Sequence, residues 1–352
     1  MLTEHAPFSS AKPECLAYSI SLFFEGSAMK LPRRTFLHLA AGAASLSTIS
    51  RFAWAQSYPT RPVRIIVPLP AGGAADIVAR LMAHWLERLG QPVIVENKPG
   101  AGTNVGVQAV LNAPPDGYTL LLFGTASAIN ATLYEQLPFN FLRDIAPVSG
   151  LVGFPLVMEI NQSVPAVTVA EFIAYAKSSP GKINFASAGI GTAPHLAGEL
   201  FQAMTGVKMV HVPYRGEPPA ISDLLAGRVQ VMFGNVTASI EHIRSGALRA
   251  LAVTTTAPSG ALPNVPTVGE TVPGYEASGW FGVGVPKGTP TEVIEKLSKE
   301  INAGLADPII MSRLADLGST VLPLSPADLG KLAAEETEKW GKVIRAANIK
   351  PE

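Results

Sequence analysis

Only one cysteine occurs among the 352 residues, Cys15. It stands ahead of the leader described below, so the body of the protein can form neither an internal disulfide nor a thiolate nucleophile, and its stability must come from packing. No lipobox cysteine is present to carry a lipid anchor. Basic clusters are missing as well: 27 Lys and Arg balance 27 Asp and Glu. Such a chain gives nucleic acid or an acidic membrane surface little to hold, and no nucleic-acid partner is expected. There is no G-x-S-x-G elbow and no H-E-x-x-H pair. His84, His195, His211 and His242, the histidines of the body, show no metal-ligand spacing. The expectation is therefore a non-enzyme without metal or cofactor. Ser187, His195 and Asp223 can be drawn as a triad on paper, a reading that only geometry decides.

From Met29 the sequence runs MKLPRRTFLHLAAGAASLSTISRFAWAQ. A basic start at Lys30, Arg33 and Arg34, an apolar stretch and Ala53-Trp54-Ala55 predict a signal peptide over 29–55, cleaved near Ala55. Arg33-Arg34 before Thr35, Phe36 and Leu37 resembles a twin-arginine signal, with the general secretory route the alternative. The apolar run is shorter than the roughly 18 residues of a membrane span. Residues 1–28 fit no part of this signal and read as an extension from a start codon assigned too early. The expected mature protein is periplasmic, soluble and monomeric. Losing the leader removes five basic and three acidic side chains, which leaves a net charge of −2.

The body alternates strand and helix patterns. Val63 to Val67 reads as a buried strand ended by Pro68, and the following helix carries Ile77, Leu81, Trp85 and Leu89 before Gly90 stops it. Further strands are expected at 92–95, 118–123, 183–186 and 229–233, with helices over 104–111, after Thr192 and from Pro218 to Leu225. Thr168 to Glu171 spells a capping box. Thr289-Pro290 and Ser325-Pro326 read as an N-cap followed by proline at N1. This alternation predicts a largely parallel sheet covered on both faces, either one sheet or two. The apolar segments 151–160 and 280–285 are the candidates for crossing between two lobes.

Three small-residue connections are candidate binding loops, because a helix N-terminus presents unpaired N–H groups that suit a carboxylate or phosphate. The first runs from Pro70 through Ala71, Gly72, Gly73 and Ala74 to Asp76. It lacks the Lys-Ser/Thr ending of a P-loop and the G-x-G-x-x-G fingerprint of dinucleotide sites. The second runs from Ser187 to His195 and offers the Ser187 and Thr192 hydroxyls, with His195 either a ligand contact or a structural histidine. The third runs from Phe123 to Asn130. Arg215 sits in the loop type expected at a cleft, beside Glu217, which can neutralise it.

Taken together, the runs Val67 to Arg80, Val95 to Gly102 and Pro114 to Leu120, with Ser187 to Leu196, Tyr214-Arg215-Gly216, Asp223 to Gly227 and Pro263 to Glu270, resemble the Bug family of tripartite tricarboxylate transporter receptors. The likeness covers essentially all of 59–350. It implies an α/β type II periplasmic-binding-protein fold, two lobes joined by two crossover segments with a ligand cleft between them. Lobe 1 would comprise 56–158 and 280–352, and lobe 2 would comprise 159–279. The implied activity is capture of a small carboxylated organic solute by closure, for delivery to membrane transporter subunits. A ligand-sensing subunit for a signalling system is the alternative. The resemblance places Pro70, Ala71, Gly72, Gly73 and Ala74 on one wall and Ser187, Gly191, Thr192 and His195 on the other. Ala126, Ser127, Asn130, Tyr214 and Asn235 would stand at the sides, with Asp76 and Asp223 as structural support.

Overall fold

The computed structural model describes residues 58–134, 136–346 and 349–351. The extension 1–28, the leader 29–55 and the cleavage site near Ala55 lie outside the described residues. From residue 56 onward the chain is one compact unit.

Strand β1 (Val63–Val67) leads through a short loop into α1 (Ala74–Leu86), and a 3-10 turn closes at Gly90 in the left-handed region. Next come β2 (Val93–Asn97), α2 (Asn104–Leu111) and β3 (Thr119–Gly124). Residues expected as the third loop instead form α3 (Thr125–Leu133), since no glycine or proline follows Gly124 to interrupt a helix. A short α4 (Phe141–Asp144) precedes β4 (Ile145–Asn161), a strand of 17 residues. The middle of the chain supplies α5 (Val169–Ser178), β5 (Ile183–Ser187), α6 (Ala193–Thr205), β6 (Met209–Pro213), α7 (Glu217–Leu225), β7 (Val231–Asn235), α8 (Val236–Arg244) and β8 (Leu248–Val253). The last elements are β9 (Ser278–Pro286), α9 (Thr291–Leu305), α10 (Pro308–Asp316), β10 (Thr320–Val321) and α11 (Pro326–Ala346).

Two mixed sheets share one strand. In the first, β1 lies between β2 and β3 in parallel register, and β9 joins β3 to β4 antiparallel. In the second, β5 lies parallel between β6 and β7, and β4 pairs antiparallel with both β7 and β8. Ile145 to Pro155 of β4 pair with β9, whereas Leu156 to Asn161 pair with β7 and β8, so the strand changes sheets at Pro155–Leu156. This is the two-lobed type II binding-protein fold that the resemblance implies, with the sheets mixed rather than wholly parallel.

Thr254 ties the crossovers together. Leu156 N donates to Thr254 Oγ1 (3.0 Å), Thr254 N donates to Leu156 O (2.9 Å) and Ala277 N donates to Thr254 O (3.0 Å). The hydroxyl also bonds the Ala277 carbonyl. Both chains that pass between the sheets are thus stapled at one fully buried residue.

Local packing refines two expectations. In α1 the stripe against the sheet is Ala75, Val78, Ala79, Met82 and Leu86, all 3% exposed or less. Ile77, Leu81, Trp85 and Leu89 are only half-buried, because that face meets other elements: Trp85 Nε1 donates to Glu300 O (2.9 Å) on α9, and its ring fills the space that a Cβ on Gly304 would need. Thr168 caps α5 by accepting from Glu171 N (3.2 Å), but the Glu171 carboxylate accepts from Val167 N rather than from the cap residue. At α9, Pro290 is itself the N-cap, and the Thr289 hydroxyl bonds Pro286 O (2.8 Å).

Candidate functional site

Helix N-termini from both lobes converge on a cavity of about 40 Å³, bordered by Gly73, Ala74 and Ala75 of α1 and by Thr192, Ala193 and Pro194 of α6. The first helical bond of α1 is Ile77 N to Gly73 O, and that of α6 is Leu196 N to Thr192 O. The amides of Ala75, Asp76, Ala193 and His195 therefore precede both ladders and have no partner within their helices. Two facing helix ends aim the positive ends of their dipoles at the space. Phe154, Trp280 and Phe281 supply an aromatic wall, and Leu156 and Asn235 stand at the hinge side. A neighbouring chamber of about 350 Å³ shares Leu69, Pro70, Ala188, Thr192 and Gly216 with the inner cavity and opens toward Pro99 to Thr103, Tyr214 and Arg215. That volume lies in the range of roughly 300–1,000 Å³ usual for small-molecule sites.

Of the residues singled out from sequence, Pro70, Gly73, Ala74, Ala126, Thr192 and Asn235 border the inner cavity. Ala71 and Gly72 lie outside it and are exposed, with Gly72 N donating to Asp76 Oδ2 (2.9 Å). Asp76 also accepts from Arg80 Nε (2.9 Å) and Asn97 Nδ2 (3.0 Å). Burial pushes its carboxyl up, but those bonds outweigh it and hold the group below its ordinary value. Tyr214 borders the outer chamber, and its hydroxyl donates to Asp223 Oδ2 (2.7 Å), whose other oxygen accepts from Arg228 (2.6 Å).

Other candidates sit behind the walls. Ser187 Oγ is 2.7 Å from His211 Nε2, and His211 stacks on His195 at 4.1 Å between ring centroids. His195 Nδ1 accepts from Gly191 N (3.3 Å), so both histidines brace the 187–195 loop from within. Burial pulls His195 down to about 4 and His211 to about 3, where both are neutral. Ser187 is paired with His211 and Asp223 with Tyr214 and Arg228, which disposes of the paper triad. Thr192 spends its hydroxyl on Gly189 O (2.6 Å). Gly191 faces Asn130 across the lobe seam; Asn130 in turn bonds Gly102 O, and its Oδ1 has no partner among the described residues. Ser127 Oγ and Trp280 Nε1 are likewise buried without a partner among those residues.

The residue that sequence reasoning misplaced is Glu217. It does not neutralise Arg215, which is exposed and borders the outer chamber. Its carboxylate turns into the inner cavity, where Oε2 accepts from Ala74 N of the opposite lobe (3.0 Å). Burial pushes its carboxyl up to about 7, against the lowering influence of the Ala74 and Asn235 backbone amides. Behind it, Glu159 on β4 is raised further, to about 8, by burial and by Glu217, with Ser239 Oγ donating to it (2.8 Å). No group of His, Cys, Asp and Glu able to hold a metal ion occurs among the described residues.

A cleft of this kind between two α/β lobes defines a solute-binding protein. Residues 78–349 match the model of the tripartite tricarboxylate transporter family receptor, and the chain belongs to that family. Among its relatives, Protein BugT of Bordetella pertussis is 39% identical over 300 residues, covering 84% of this chain and 92% of that protein. The periplasmic binding protein BugD superposes with a TM-score of 0.81 at 36% identity, over 84% of this chain and all of that one. The R. palustris protein Rpa4515, solved with adipate, gives a TM-score of 0.82 at 35% identity over the same shares.

Proposed function

We propose that this protein is a periplasmic receptor that captures a small carboxylate-bearing solute in the cleft and closes around it for a tripartite tricarboxylate-type transporter. The observation that carries this reading is the meeting of the α1 and α6 N-termini, one from each lobe, with first-turn amides of both helices free of helical partners beside one cavity. A carboxylate bridging them is bound by both lobes at once, which couples binding to closure. Family membership and the adipate in Rpa4515 support the ligand class. The lobes would divide as 56–158 with 280–352 against 159–279, a division supported by the sheet change within β4.

The proposed site comprises Pro70, Gly73, Ala74, Ala126, Thr192 and Asn235 at the cavity, with Ala71 and Gly72 on the exposed turn beside it and Ser187, Gly191, His195, Asn130 and Tyr214 shaping its walls and seam. Ser127 Oγ and Trp280 Nε1 are further buried donors without a partner among the described residues, Ser127 following Ala126 in α3 and Trp280 bordering the cavity. The leader would direct export and be removed near Ala55, and membrane transporter subunits would be the partners. At roughly 1.5–3 kcal/mol per hydrogen bond to a charged group, a few such bonds reach the roughly −8 kcal/mol of a micromolar complex after ordering costs. The test is a thermal-shift screen of residues 56–352, unfolded and refolded to strip retained solute, against a panel of carboxylic acids. A concentration-dependent rise with one class is the expected result. A cooperative melt that no acid moves would overturn carboxylate capture.

A further inference from the structure

The receptor reading leaves one group in the cleft without a role, and the following rests on that reading. Among the described residues bordering the inner cavity, Glu217 is the only ionisable side chain, and it is acidic. It is 9% exposed and reaches from α7 to Ala74 N on the facing lobe. No Lys, Arg or His among the described residues borders that cavity. Phe154, Trp280 and Phe281 border the same cavity, with Phe154 and Phe281 packed at 4.6 Å between centroids and the Trp280 ring packed edge-on against Phe123 at 5.6 Å. A second buried acid, Glu159, lies behind it.

A dicarboxylate entering this space would bring one of its charges against Glu217 in a dry site, where like charges repel strongly. A carboxylate beside aromatic faces is instead the environment that stabilises an ammonium group, through ion pairing and the negative faces of the rings. We propose that Glu217 is a specificity-determining residue that turns the inner end of the cleft into an ammonium subsite, so that the ligand is a zwitterion carrying both an amine and a carboxylate. The free amides of α1 and α6 hold the carboxylate, and Glu217 with the aromatic wall holds the amine. The raised proton affinity of Glu217 agrees: the Ala74 N–H does not make good the hydration it has lost, and an arriving cation would.

The test compares matched linear acids on residues 56–352 by titration calorimetry: α,ω-dicarboxylates against ω-amino carboxylates of equal chain length, and α-amino acids of the same length. The expected result is that the best amine-bearing acid binds at least tenfold more tightly than the best dicarboxylate. Glu217→Gln, which keeps the shape and an acceptor oxygen, should cut that preference tenfold or more by weakening the amine-bearing ligand. A wild-type protein that binds dicarboxylates as tightly as amine-bearing acids overturns the ammonium subsite while leaving the receptor reading intact. So does a folded Glu217→Gln protein with unchanged selectivity. Binding of no acid of any class overturns the receptor reading and the subsite together. The wild-type comparison decides the matter even if the variant fails to fold.

Discussion

Replacing Gly191 by alanine separates closure from folding. Gly191 has φ +75°, and a Cβ placed there lies 2.1 Å from Asn130 Oδ1 and 3.0 Å from Leu133 Cδ2, both on the other lobe. The left-handed backbone costs a non-glycine residue about 1–2 kcal/mol, and it does so whether the lobes are together or apart. The clash exists only when they are together. Asn130 can yield only by giving up its bond to Gly102 O, which strands a buried amide at about 1–3 kcal/mol. Gly191→Ala should therefore lower global stability by about 1–2 kcal/mol in urea and weaken ligand binding by roughly 10- to 100-fold. Gly191→Asp adds bulk and charge at the seam and should abolish binding while the protein still melts cooperatively. Titration calorimetry with the ligand found by screening, paired with urea melts, reads both numbers. Unchanged affinity in the alanine variant would refute the idea that ligand-bound and closed states share this seam.

Two further outcomes follow from buried polar groups. Thr254→Val removes a fully buried hydroxyl and leaves Leu156 N without its acceptor, so it should cost about 1–3 kcal/mol of stability in chemical melts, whereas Thr254→Ser should restore most of it; equal stability of all three proteins would contradict the staple. Glu159 and Glu217 bind protons more tightly folded than unfolded, being raised to about 8 and about 7 from an ordinary 4.5, so each contributes stability that is full below pH 4.5 and is lost as pH rises through its folded value. His195 and His211, lowered to about 4 and about 3 from 6.5, contribute in the opposite sense, with stability gained as pH rises toward 6.5. Opposed between pH 4.5 and 6.5, the two pairs should give a plateau there, followed by a fall on the order of 1 kcal/mol per pH unit per group, driven by both acids up to about pH 7 and by Glu159 alone from there to about pH 8. Glu159→Gln should flatten that alkaline fall, and a protein as stable at pH 8 as at pH 5.5 would contradict it.

Much of the fold was legible because the strands are short apolar runs bounded by proline or glycine: Val63 to Val67, Ile183 to Ser187 and Val231 to Asn235 fall where the pattern puts them or within two residues of it. What the pattern cannot carry is partner choice. The crossing candidate 151–160 contains Pro155–Leu156, but the pattern does not say that this strand pairs with β9 before that point and with β7 and β8 after it. The same limit explains Ser187 and His195. Both are polar residues in a loop of small side chains, which reads as a ligand wall, yet each finds its partner in His211, a residue on β6 whose neighbourhood only the parallel pairing with β5 creates.

The glycines serve two kinds of close approach. As a loop signal they suggest close approach of a ligand to the backbone, but several of them serve close approach of one lobe to the other. A Cβ on Gly102 would meet Ile190 O at 2.7 Å, and one on Gly216 would meet Pro70 Cγ at 2.5 Å. Gly216 also explains Glu217. Its φ of +107° is open to glycine and strained for other residues, and the turn it makes leaves Arg215 facing solvent while Glu217 begins α7 facing Ala74. Two residues that look like a neutralised pair in sequence thus serve different chambers, the cation outside and the acid inside. A ligand passing from the outer chamber to the inner one meets charges of opposite sign in that order, which suits a molecule that carries both.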